Sequence, residues 1–180
     1  FFIAGYLGVF NGITIQANTV VHITKNMTMI RTPVSFNNKI DKLTLFNNRL
    51  LVTGKFTAIS GYSCPNLTAL DTATLQVIPS FSAPFSATAC DRSIQYKGQL
   101  LILGLYTYLG VNYNMLGIDP TTGNVVKAYT NLPLTSTRLE VWNDVLFLCS
   151  DTKITNPVSH GFLYSYDLIN MSLSSNYNIR

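Results

Sequence analysis

Charge is scarce in this chain. Asp, Glu, Lys and Arg make up 11% of its 180 residues, against roughly 25% in an average soluble domain. Glu140 is the only glutamate, and the seven aspartates fall mostly in turns. The facing pair of acids that glycoside hydrolysis needs is therefore not indicated. The basic residues Lys25, Arg31, Lys39, Lys42, Arg49, Lys55, Arg92 and Lys97 are scattered, with no run of three. A nucleic-acid surface needs a clustered basic stripe, so no nucleic-acid partner is expected. The pI of about 9.0 reflects few acids more than many bases. Cysteine is limited to Cys64, Cys90 and Cys149, none in a Cys-x-x-Cys pair. That argues against a zinc site. The odd count leaves at least one thiol free, and small buried side chains are favoured over a disulfide. His22 and His160 are the only histidines, and no Gly-x-Ser-x-Gly elbow accompanies them. No catalytic triad, cofactor or metal is expected. No apolar run reaches the ~20 residues of a membrane span, and no signal peptide is visible. Membrane insertion is not expected. The chain opens Phe1-Phe2-Ile3, as if inside a strand, and reads as part of a longer polypeptide or assembly.

What the chain has is apolar strand material. Hydrophobic residues are 47% of it, enough for a packed core and too many for disorder. The polar surface comes from Asn, Thr and Ser. That neutral surface suits an extracellular, cell-surface or virion location. Apolar runs are short, β-branched or aromatic, and punctuated by Gly, Asn, Asp and Pro, which indicates an all-β chain.

Three aspartates, Asp71, Asp119 and Asp167, recur at an interval of 48 residues. Each follows an apolar run and precedes a polar turn. A period of this length marks a repeat architecture. The third copy is the clearest: Ile118-Asp119-Pro120-Thr121-Thr122-Gly123-Asn124-Val125. There Asp accepts backbone N–H bonds, Pro presets φ and Gly123 supplies a left-handed residue. In the first copy Ile23-Thr24 stands in place of the aspartate. The dipeptides Asn47-Asn48, Lys97-Gly98 and Asn143-Asp144 read as tight hairpin turns. They would join strands at residues 40–46, 93–96 and 138–142 to the strands that follow. Four antiparallel strands per 48 residues is one propeller blade. The expected fold is a β-propeller of four-stranded antiparallel blades, part of a larger ring. The repeats span 1–48, 49–97, 98–143 and 144–180, the last incomplete, within one segment covering 1–180.

The second unit, Gly54-Lys55-Phe56-Thr57-Ala58-Ile59-Ser60-Gly61 followed by Asn66-Leu67-Thr68-Ala69-Leu70-Asp71, resembles the delta-60 type of propeller repeat. That type occurs in bacterial secreted proteins, phage structural proteins and the fungal cortical polarity marker; kelch repeats are more distant cousins. The resemblance implies architecture and no activity. The Asp119 turn is also similar to turns of quinoprotein dehydrogenase propellers. Those carry a tryptophan after the turn, whereas here Trp142 lies in a different strand.

Aspartates repeated on a ring lie too far apart to share one ion. Asp71, Asp119 and Asp167 are therefore read as turn caps, with Gly123 in the same structural role. Aromatic residues after the first strand of each unit are the candidate binding rim: Phe10, Phe56, Tyr62, Tyr106, Tyr108 and Tyr113. The fourth unit replaces its Gly-aromatic loop with residues 151–161, where Asp151 and His160 join the candidate rim. Three Asn-x-Ser/Thr sequons begin at Asn26, Asn66 and Asn170. The expected function is a non-enzymatic structural and recognition module of a large surface or virion protein, whose rim loops bind protein or glycan. The alternative is a polysaccharide hydrolase or lyase with catalytic residues partly outside this segment.

Overall fold

The computed structural model describes residues 1–5, 8–10, 13–15, 17–130, 132, 138–149 and 163–174. Every regular element among them is a strand. Strand β1 (Phe2–Gly5) leads to a small hairpin of β2 (Gly8–Phe10) and β3 (Ile13–Ile15). The chain returns through β4 (Thr19–His22) and β5 (Val34–Ser35). The first sheet has the order β1-β4-β5. The second contains β6 (Ile40–Phe46), β7 (Arg49–Gly54) and, after a hairpin of β8 (Ala58–Ile59) and β9 (Tyr62–Ser63), β10 (Leu67–Asp71). The third is a four-stranded meander of β11 (Ser86–Tyr96), β12 (Gln99–Tyr108), β13 (Val111–Ile118) and β14 (Val125–Tyr129). The fourth repeats that order with β15 (Arg138–Trp142), β16 (Val145–Cys149), β17 (Leu163–Asp167) and β18 (Ser172–Ser174). All pairings are antiparallel. Each of the last three sheets begins with the strand before its hairpin turn, so sheet boundaries are displaced from the aspartate-phased repeats.

The turns follow their sequence. Lys97-Gly98 and Asn143-Asp144 have positive φ at both central residues, and Asn47 at the first. The pairs Phe46↔Arg49, Tyr96↔Gln99 and Trp142↔Val145 close these two-residue loops. Positive φ at both positions matches the right-handed twist of the flanking strands.

The sheets stack face to face in chain order. Side chains alternate along a strand, so neighbours enter different cores. Leu50, Val52 and Leu70 meet Val20 and Phe36 of the first sheet's side. Leu51, Leu67 and Ala69 meet Leu100, Ile102, Leu116 and Ile118 of the third sheet. Leu101, Leu103, Met115 and Tyr129 meet Leu146, Leu148 and Tyr166 of the fourth. Strands β7 and β12 are covered on both faces, which explains their unbroken apolar runs. Between sheets, backbones approach at β1 and β6, β6 and β11, β7 and β11, and β11 and β15. Hydrogen bonds reinforce this edge. Lys42 Nζ donates to Ser93 O at 2.6 Å, Gln95 Nε2 to Leu45 O at 2.6 Å, and the Tyr96 hydroxyl to Asp144 Oδ1 at 2.5 Å.

Two features differ from expectation. The first two sheets have three strands each where four were expected. The Gly-aromatic stretch of the third unit is not a loop. Tyr106 to Tyr108 continue β12, pairing with Tyr113 to Val111, and Leu109-Gly110 make the turn.

Candidate functional site

The sheets have two ends. At one lie the tight hairpin turns and the aspartate turns. Asp71 Oδ1 accepts from the backbone N–H of Ala73 and Thr74, both at 2.9 Å. Asp119 Oδ1 accepts from Thr121 N at 2.7 Å, and Asp167 Oδ1 from Ile169 N at 2.8 Å and Asn170 N at 2.9 Å. Four residues beyond each aspartate stands a left-handed residue: Leu75 (φ 60), Gly123 (φ 85) and Met171 (φ 53). These donors hold all three carboxyls below the usual carboxylate range, backbone N–H bonds being the largest cause in each. The first unit keeps a related turn. There the Thr24 hydroxyl accepts from Asn26 N at 3.2 Å and Thr28 N at 3.1 Å, and Met27 is left-handed. Between sheets three and four, Lys97 Nζ lies 2.6 Å from Asp144. Lys97 lowers the Asp144 carboxyl's affinity for protons, and the Tyr96 hydroxyl adds to it.

At the other end are the hairpin tips, where the candidate rim was expected. The aromatics there divide. Tyr62 is 65% exposed. Tyr106 is only 2% exposed and packs edge-on to Phe85 at 5.2 Å. Phe56 is fully buried against Phe36, with ring centroids 4.6 Å apart. Both are core residues, a correction to the expectation of a rim position. Burial of the large apolar rings against neighbouring sheets outweighs their place near a loop. Tyr108 and Tyr113 are half-buried against the same core as Tyr106. Asp151 and His160 lie outside the described residues, as does the side chain of Phe10. Leu109 is 84% exposed at the neighbouring tip.

Beside Tyr62 the second sheet has a groove. The fourth-strand position of this sheet holds a single bridge, Leu70↔Val77. Pro79 follows two residues later, and a proline ends pairing because it has no N–H and restricts the residue before it. A space of about 890 Å³ lies between the β8–β9 hairpin, β10 and the segment through Ala83. Its wall includes the free thiol of Cys64, which burial pushes up in pKa. Sequence reasoning missed this groove, although Pro79 after a two-residue apolar stretch was the available signal.

The other candidates are structural. His22 stacks on Phe2 at 4.2 Å, and burial chiefly lowers its pKa, with the N-terminal ammonium and Arg31 adding. Cys90 is fully buried in the core between the second and third sheets. Asn66 is 3% exposed and its amide donates to Gly54 O at 2.9 Å. The Asn170 amide donates to Asp167 at 2.7 Å. Of the three sequon asparagines, Asn26 stands exposed, and its side chain makes no such bond among the described residues. Among the described residues no three His, Cys, Asp or Glu side chains gather as a metal site, and no helix is long and apolar enough to cross a membrane. The chain matches no protein-family model and no curated protein.

Proposed function

We propose that the chain is an arc of a β-propeller of the delta-60/kelch-like kind and acts as a non-enzymatic recognition module of a surface or virion protein. The observation that carries this is the way successive sheets approach. They meet at their first and second strands, β6, β7, β11 and β15, while among the described residues β10, β14 and β18 make no comparably close approach. Sheets that converge at one edge and diverge at the other are blades about an axis. The recurring aspartate turn builds one end of every later blade to the same pattern. The opposite end carries the variable hairpin tips, with Tyr62 and Leu109 presented to solvent. Rigid sheets carrying variable tips make a scaffold for recognition of protein or glycan.

Small-angle scattering on the protein tests the architecture, because a curved arc and a straight stack of the same sheets differ in their distance distributions. A straight stack would sink the propeller assignment. Incubation with soluble polysaccharides tests the non-enzymatic role. New reducing ends or unsaturated products, absent from a no-protein control, would replace it with a hydrolase or lyase.

A further inference from the structure

The groove beside β10 has a chemistry of its own. None of the residues lining it carries a formal charge. A charged ligand would leave water for a wall that offers no counter-ion. The wall is instead rich in neutral hydrogen-bonding groups. Thr32, Ser60, Ser63, Gln76 and Ser82 line it and are exposed, and their side chains make no hydrogen bond with another described residue. Tyr62 stands at its edge with an open ring, and Pro65 and Pro79 add rigid apolar surface. The volume, about 890 Å³, is that of a small-ligand site.

We infer that this groove binds a neutral oligosaccharide, with Tyr62 as the stacking platform. A sugar ring has an apolar C–H face that suits an aromatic ring. Its hydroxyls both donate and accept, as the Ser, Thr and Gln groups require. An added peptide strand fits less well, because the outer edge of β10 is largely taken. Leu67 N donates to Pro65 O at 2.8 Å, Ile78 N to Ala69 O at 2.9 Å, and Asp71 N to Gln76 O at 2.9 Å. The assignment rests on the recognition role proposed above and narrows it to one ligand class and one place.

The test titrates the purified protein with neutral hexasaccharides of β-linked glucose, xylose, mannose and N-acetylglucosamine, and with oligogalacturonate as the acidic control. At least one neutral sugar is expected to bind at millimolar concentration or below, and the acidic one not to bind. Tyr62→Ala should weaken binding about three- to tenfold, the equivalent of one aromatic contact. Ile169→Ser, an exposed position at the opposite end of the sheets, should leave it unchanged. Bound sugar should also slow alkylation of Cys64 by iodoacetamide, followed by peptide mass mapping. No binding across the neutral panel overturns the assignment. So does binding that survives Tyr62→Ala with Cys64 unprotected, or a preference for the acidic sugar. If only the groove assignment fails, scattering will still report a curved arc and polysaccharide digests will still show no new ends, and the recognition role stands without it.

Discussion

Replacing Gly123 with alanine tests whether the repeated turn also locks one sheet to the next. Gly123 is buried and left-handed, φ +85. An added Cβ would lie 2.9 Å from both the carbonyl carbon and oxygen of Ser82, and 3.1 Å from its nitrogen. These are backbone atoms, which cannot swing aside as a side-chain tip would. Ser82 N donates to Thr122 O at 3.0 Å, so moving Ser82 away breaks the bond that ties the segment between sheets two and three to the Asp119 turn. Two costs add. A side chain in the left-handed region costs roughly 1–2 kcal/mol, and the lost hydrogen bond about 0.5–1.5 kcal/mol. Gly98→Ala is the matched control. Gly98 is left-handed too, φ +77, but its added Cβ meets nothing within 4 Å. It should show the first cost alone. Both substitutions gain equally from a stiffer unfolded chain, so that gain cancels in the comparison. Urea unfolding followed by circular dichroism should find Gly123→Ala less stable than Gly98→Ala by about 1 kcal/mol. Equal losses would refute the docking of Ser82 on this turn.

Leu50→Ala and Leu51→Ala should each cost about 2–5 kcal/mol although they truncate adjacent residues in different cores. In urea double-mutant cycles Leu116→Ala should couple to Leu51→Ala and add independently to Leu50→Ala; the reverse pattern would mean the faces are misassigned. Asp71, Asp119 and Asp167 have folded pKa values below the ordinary 3.8, so their ionised forms favour the fold. That stability is present above the unfolded pKa and is lost as pH falls through the lower folded values. Melting temperature should therefore drop less between pH 5 and pH 2 when all three are changed to Asn, and an unchanged slope would contradict the capping role. The Tyr166 hydroxyl donates to Thr130 O at 2.7 Å and its pKa is raised to about 12, mainly by burial. A raised acid pKa contributes stability below the unfolded value near 10 and loses it as pH rises through the folded one. In an ultraviolet titration Tyr166→Phe should remove an ionisation step near pH 12.

Local chemistry carried much of this fold in plain view. Asn47-Asn48, Lys97-Gly98 and Asn143-Asp144 demand positive φ, and an aspartate before a polar turn offers a carboxylate to nearby N–H groups. Both effects act within a few residues, so turn positions and the strand spans 40–46 and 138–142 were legible. Antiparallel strands followed from those turns and from short apolar runs. The displaced sheet boundaries followed less directly, because a repeat phased on aspartates says nothing about which strand opens a sheet.

Long-range contacts decided the rest. Tyr62 and Tyr106 both read from sequence as aromatics of the candidate rim. One is open to solvent and the other buried, because β12 continues through Tyr106 to face Phe85 while β7 ends at Gly54 and hands its hairpin outward. The groove is likewise a tertiary product. Pro79 stops the short pairing of residues 76–78 with β10, but only the neighbouring hairpin and the segment through Ala83 supply the neutral walls of the open groove beside it. Turns are written in neighbouring residues, whereas burial and cavities depend on partners that distant parts of the chain bring together.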